Sequence, residues 1–225
     1  MSNATNESMP YPHIQVFALG GFQTNCMVVT DGPPAPGKEC LIVDCGYEPE
    51  ALLDAVESQG LVPERVVLTH AHADHIAGLL ELHRRLGPVP ISMNQEEEDW
   101  LSDPMLNLSA ALGLSVTAPQ PSSFLRAGDT VTIGDVEFEV RETPGHSPGG
   151  LSLIHQPSHV AIVGDSLFNG SIGRTDFPGS RFETLAHSIR TQLYTLDPKT
   201  KVYPGHGPTT TIGREMKTNP FVPAQ

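Results

Sequence analysis

The sequence predicts an α/β sandwich, two β-sheets packed face to face with helices outside. Short β-branched or apolar runs alternate with segments of helical period, and the order strands, helix, strands, helix recurs in each half. The 225 residues suffice for one sizeable core, and no linker divides them.

The opening meander is read from "HIQVFAL", "NCMVVTD" and "ECLIVDCG", separated by turn residues; "DGPPAPGK" between the last two is a loop, because Pro removes ladder donors. In "EPEALLDAVESQG" the period changes: Pro49 suits a first helical turn, Leu52, Leu53 and Val56 share a face, and Gly60 suits the C-terminal cap. The strand "RVVLTH" follows. Residues 76–86 read as one helix, with Ile76, Leu79, Leu80 and Leu86 inward and Gly87 ending it. Over 95–127 the pattern is weak: the acidic "QEEEDW" reads as a solvated helix start, followed by a short helix near 105–112 and a Pro/Ser-rich loop.

"DTVTIGDVEFEVRETPGH" is a hairpin about Gly-Asp, and "GLSLIHQPSHVAIVGD" is a second strand pair about Pro-Ser. The stretch "SRFETLAHSIRTQL" is a helix opened by a capping box of Ser180 and Glu183, with Phe182, Leu185, Ile189 and Leu193 on one face. A last strand "KVYPGH" and a short helix at 212–218 complete the chain.

Thirteen basic residues stand against 26 acidic ones, a net charge of −13, with no run of Lys or Arg. Nucleic-acid binding is disfavoured, since phosphate contacts need clustered positive charge. Three cysteines, Cys26, Cys40 and Cys45, are too few for a disulfide scaffold and fit a reducing compartment. There is no leader pattern at the start and no apolar run of membrane-spanning length. The expectation is a cytoplasmic protein that engages no membrane, with a flexible N-terminus over 1–13.

"LTHAHADHIAG" places His70, His72 and His75 within six positions, where this composition would supply roughly 0.3 histidines. His70 and His72 follow an apolar strand, and extended backbone sends alternate side chains to one side. Asp74 and His75 fall at the turn into the next helix, whose start favours an anion. His146 in "TPGHSPGG", Asp165 in "VGD" and His206 in "YPGH" each end an apolar run in a Gly- or Pro-flanked loop. Together these are seven nitrogen and oxygen donors without a thiolate. Such donors suit zinc, iron or manganese, and seven are too many for one four-coordinate zinc, so two divalent metal ions are implied. His13, His83, His155, His159 and His187 lack such spacing and read as surface or packing residues.

At these residues the chain resembles the metallo-β-lactamase superfamily, whose HxHxDH signature is met by His70, His72, Asp74 and His75. The resemblance spans Ile14 to Phe221 and implies an αββα four-layer sandwich of two mixed sheets, with residues 14–225 a single domain of that type. It also implies one metal on His70, His72 and His146, a second on Asp74, His75 and His206, and Asp165 between them. "GDSLFNGSIGRTDFPGS" and the terminal "TNPF" look most like the short glyoxalase II-like hydrolases.

That resemblance implies cleavage of an acyl-thiol substrate, possibly glutathione-derived such as S-lactoylglutathione, through a metal-bridging hydroxide. Asp74 and Asp165 would serve the chemistry, on zinc with iron or manganese as alternatives. Asp165 is absent at that position from true β-lactamases, which argues against antibiotic hydrolysis. The glutathione-binding Lys-Phe-Tyr of full-length glyoxalase II is replaced by "RTDF", where Arg174 either pairs with a substrate carboxylate or bridges loops. A related branch implies a different reaction, a persulfide dioxygenase with one iron on His70, His146 and Asp165. A third reading is a metal-binding protein without turnover. Cys45 stands where relatives have Pro and reads as a buried, inert thiol. The oligomeric state is not fixed by the sequence.

Overall fold

A computed structural model of the chain describes residues 11–224. The first half lays down β1 (Pro12–Leu19), β2 (Thr24–Asp31), β3 (Glu39–Val43), α1 (Glu50–Ser58), β4 (Val62–Val67), α2 (Ala73–Ile76), α3 (Leu79–Leu86), β5 (Ile91–Met93) and β6 (Ser123–Phe124). The second half adds β7 (Thr130–Ile133), β8 (Val136–Glu142), β9 (Leu151–His155), β10 (Val160–Gly164), β11 (Leu167–Phe168), β12 (Ser171–Ile172), α4 (Phe182–Ser188), β13 (Lys201–Pro204), β14 (Thr210–Thr211) and α5 (Ile212–Thr218). The strands form one six-stranded sheet in the order β1-β2-β3-β4-β5-β6 and another in the order β14-β13-β10-β9-β8-β7. Both are mixed: β3 to β6 run parallel and so do β10 and β13, while the other pairs are antiparallel.

The layering follows from alternation along the strands. Cys26 and Val28 of β2, with Cys40 and Ile42 of β3, face Leu52, Leu53 and Val56 of α1 and Leu79 and Leu82 of α3. The residues between them, Met27, Val29, Leu41 and Val43, point the other way and meet Val131, Phe138, Val140, Leu153 and Ile162 of the second sheet. On its far side Ala161, Val163 and Val202 take Leu185, Ala186, Ile189, Leu193 and Ile212. These strands are apolar on both faces, so each sheet must be covered twice, and four layers result.

Several expectations are corrected. The first strand begins at Pro12, so Tyr11 to His13 belong to the fold, while the remainder of the flexible segment expected over 1–13 lies outside the described residues. The helix expected over 76–86 is two: the chain flattens at Gly78 (φ −85°, ψ −7°), where a Cβ would lie 2.4 Å from the Gly46 carbonyl oxygen. The break turns Leu80 to solvent and buries Leu82 in its place. No capping box forms at α4. Ser180 Oγ instead accepts from Phe177 N at 2.8 Å, and Arg181 is the residue before the helix. Near 105–112 only a 3₁₀ turn forms, Ser109–Leu112. The short strands β5, β6 and β14 carried too little pattern to be read. No helix among the described residues is long and apolar enough to cross a membrane.

Phe138 is the bulkiest of the fully buried side chains and sits between the sheets. Phe138→Ala is expected to lower the unfolding free energy by about 3–5 kcal/mol, measured by chemical denaturation.

Candidate metal centre

The loops leaving β4, β8, β10 and β13 converge at one end of the sandwich and bring the seven residues together. Three sets of donor atoms each lie within 4.8 Å of one another: His70, His72 and His146; His70, His75 and Asp165; and Asp74, His75 and His206. His70 and His72 flank Ala71 on extended chain, while Asp74 and His75 lie inside α2 rather than at the turn before it.

Four of the five rings are held from behind by their other nitrogen. His75 Nδ1 is 2.8 Å from Asp44 Oδ2, His70 Nδ1 is 3.2 Å from Thr69 Oγ1, His146 Nδ1 is 2.8 Å from the Arg174 carbonyl, and His206 Nδ1 is 3.1 Å from the Phe22 carbonyl. That leaves Nε2 of all four facing the common centre. His72 is reversed, with Nδ1 2.9 Å from His146 Nε2 and its ring stacked on Trp100. Outer partners of this kind fix ring orientation and tautomer in metal sites.

The donors fit a cation on the chemistry of this structure. His70 Nε2, His75 Nε2 and Asp165 Oδ1 are buried with no hydrogen-bond partner, a state that burial penalises unless a cation or proton fills it. Burial, with His146 and His75 nearby, pulls His72 down to about 3, and burial beside His75 and His72 puts His70 well below its usual range. Both are neutral bases with a lone pair to give. For Asp165, burial pushes upward but His75 and His146 outweigh it, so the carboxylate is ionised. Burial likewise disfavours charge on His75, yet Asp74, Asp44 and Asp165 overcome it and raise the imidazole well above its ordinary range.

Three residues that sequence reasoning passed over hold this arrangement. Asp44, at φ 58°, also accepts from Thr69 N at 2.8 Å and from Thr69 Oγ1 at 2.7 Å, which ties β3 to the histidine loop. Glu97, from the acidic run expected to be solvated, is fully buried: Oε2 accepts from Ala71 N at 2.6 Å and Oε1 from Gly149 N at 2.7 Å, joining the loops that carry His70, His72 and His146. Thr24 Oγ1 donates to Asp74 Oδ2 at 2.9 Å. Only the position of Asp44 directly after a buried strand could have hinted at its role. Glu97 has no such signal, because three glutamates in a row look alike until one is buried.

Two further residues are placed by the fold. Arg174 does not bridge loops: its fork takes Asp176 at 2.9 and 2.8 Å and lies 4.2 Å over the Phe177 ring. Cys45 is buried against α1 and α3, and burial and Asp44 push its thiol up, which disfavours the reactive thiolate. Among the histidines read as surface or packing residues, His155 is buried against Phe138 and His83 Nε2 is 2.8 Å from the Val89 carbonyl oxygen.

The profile of the Metallo-beta-lactamase superfamily matches residues 19–206, a span that takes in all seven donors. The chain belongs to that superfamily. Its sandwich is the metallo-β-lactamase fold. Among curated relatives it is 43% identical to the probable metallo-hydrolase YqgX of Bacillus subtilis, over 82% of this chain and 87% of that one. It is 35% identical to the hydroxyacylglutathione hydrolase GloC of Haemophilus influenzae, over 93% and 98%. Among solved structures it is similar to the BLEG-1 B3 metallo-β-lactamase (TM-score 0.87, 39% identity, 93% of this chain and 99% of that one). It is also similar to TTHA1623 in a di-iron-bound form (TM-score 0.79, 35% identity, 94% and 99%).

Asp74, Asp44 and Asp165 favour the protonated form of His75, so a cation that takes its Nε2 should expel a proton, and apparent affinity should fall as pH falls. Proton release into weak buffer on titration with Zn²⁺ checks this; uptake or no release would contradict it. Glu97→Gln sets an amide NH₂ against a backbone N–H and should lower stability by about 1–3 kcal/mol, read by thermal or chemical denaturation.

Proposed function

We propose that this chain is a metal-dependent hydrolase that cleaves thioesters, with S-lactoylglutathione as reference substrate. The observation that carries the reading is the convergence of seven nitrogen and oxygen donors, of which His72, Asp74, His146, Asp165 and His206 line an open groove of about 670 Å³. His70, His72 and His146 would hold one cation, Asp74, His75 and His206 a second, with Asp165 between them. Zinc is the first expectation, and iron is supported by the di-iron form of a 35% identical structure. When bound, the metals would supply a water acidic enough to attack near neutral pH and positive charge for the carbonyl oxygen.

The chain's own residues arrange the rest. Asp165 lies between the two halves of the centre, with Oδ1 3.5 Å from His75 Nε2 and Oδ2 3.4 and 3.5 Å from His146 and His206 Nε2. Asp74 makes its contacts to Thr24, His75 and His206 through Oδ2, which leaves Oδ1 to orient the attacking water. Water adds to the acyl carbon and the C–S bond breaks. The products are a carboxylate and a thiol, with one proton of the water passing to solvent and the other to the departing sulfur. A thiolate leaves without a strong general acid, and no protonated lysine, tyrosine or cysteine lines the groove among the described residues.

Gly205 supports this geometry. A Cβ there would meet Asp165 Oδ1 at 2.1 Å and His75 Cε1 at 3.0 Å, so only glycine lets the His206 loop close on the centre.

The protein as isolated should contain two metals per chain by elemental analysis and hydrolyse S-lactoylglutathione. Asp165→Ala should lose metal and activity together; full activity with two metals retained would sink the assignment. Uptake of O₂ with glutathione persulfide on a single iron would replace the hydrolase by the dioxygenase. In that case the iron would rest on His70, His146 and Asp165, with His146 Nε2 3.4 Å from Asp165 Oδ2. Hydrolysis of a cephalosporin in place of the thioester would assign the chain to β-lactam cleavage, and two metals without any turnover to a binding protein.

A further inference from the structure

The groove that holds the donors is walled by hydrocarbon. Its lining includes Met105, Leu108 and Leu112 from one segment, together with Phe22, Phe168 and Phe177. Met105 is 73% exposed, Leu112 51% and Phe22 47%, so three of the larger exposed apolar side chains crowd the mouth of one cavity. Contiguous apolar exposure of this kind marks a binding groove, and about 670 Å³ falls within the ~300–1,000 Å³ of small-molecule sites.

The wall is built, not draped. Leu108 is held at φ 69°, a left-handed conformation that a leucine adopts only under constraint. The constraint is Asn107: its side-chain amide donates to the carbonyls of Trp100 at 2.8 Å and Val116 at 3.0 Å, its Oδ1 accepts from Ser109 N, and its own carbonyl accepts from Ala73 N at 2.9 Å. Ala73 lies between His72 and Asp74, so the apolar wall is pinned to the donor loop itself. On the other side, Asn219 Nδ2 donates to the Ser171 carbonyl, which steadies the β11–β12 hairpin that carries Phe168.

The charge on this surface is the second observation. Arg174 is the one Lys or Arg lining the groove among the described residues, and its fork is filled by Asp176 while its face is stacked on Phe177. The groove lining thus presents no unpaired Lys or Arg to the carboxylates of a glutathione-like carrier.

We propose that the preferred substrate is a thioester with a hydrocarbon acyl chain of medium length, seated against Met105, Leu108 and Leu112, rather than a short hydroxyacyl group on an anionic tripeptide. This rests on the thioester-hydrolase reading above. Each methylene that leaves water for the wall favours the longer chain, and a few of them suffice for about tenfold in kcat/KM.

The metal-loaded protein would be assayed with octanoyl and lactoyl thioesters of N-acetylcysteamine and with S-lactoylglutathione, and titrated calorimetrically with the non-hydrolysable S-octyl thioether of N-acetylcysteamine. The expected result is a preference of about tenfold or more for octanoyl over either lactoyl substrate. Leu112→Asp should reduce that ratio, chiefly through KM, while Leu112→Met keeps it. Faster cleavage of S-lactoylglutathione, or an octanoyl preference that Leu112→Asp leaves intact, overturns the proposal and leaves the hydrolase reading standing. If no thioester is cleaved but the thioether binds, and binds more weakly to Leu112→Asp, the groove assignment holds and the thioesterase reading falls. Failure of the thioether to bind overturns the groove assignment.

Discussion

The buried carboxylate of Asp44 is the joint on which the donor end of the sandwich depends. It leaves β3 in a left-handed conformation, accepts from the backbone and hydroxyl of Thr69, and holds Nδ1 of His75. One side chain therefore fixes where β3 stops, where the histidine loop begins, and which nitrogen of His75 faces inward. A charge so deeply placed is tolerated because each of its oxygens is hydrogen-bonded. Removing it would leave Thr69 N and His75 Nδ1 without a partner at the point where two strands diverge.

The rest of the centre repeats this logic at longer range. The loops that carry His70, His72 and His146 come from different sheets, and Glu97 fastens them by accepting from Ala71 N and Gly149 N. The His206 loop reaches across to the first sheet, where Asn25 donates to the Pro204 and Gly207 carbonyls. These outer bonds are what allow crowded imidazoles to keep unpartnered nitrogens pointed at one another. The unpartnered, buried His70 Nε2, His75 Nε2 and Asp165 Oδ1 are the groups that a bound cation would satisfy.

The groove and the donor set share their support. Asn107 pins the apolar segment to Ala73, and the Arg174 main chain, rather than its guanidinium, orients His146. The apolar wall and the donor loop are thus joined by one backbone hydrogen bond, from Ala73 N to the Asn107 carbonyl. The guanidinium of Arg174 is taken by Asp176, and the groove beside it is lined largely by hydrocarbon.

By itself the sequence determined the layered α/β class and the cluster of donors. Runs such as "NCMVVTD" are apolar at every second and every intervening position, which demands cover on both faces, and three imidazoles with a carboxylate in six positions are dense enough to stand out. Only the tertiary structure decided which lone polar residues matter. Asp44 and Glu97 act across 25 and 52 positions of the chain, and nothing local tells a buried glutamate from its two solvated neighbours. The break at Gly78 and the exposure of Leu80 were likewise hidden, because the close approach of Gly46 is a contact between segments far apart in sequence. Local period sets the elements; the partners of buried polar groups are set by what the fold brings beside them.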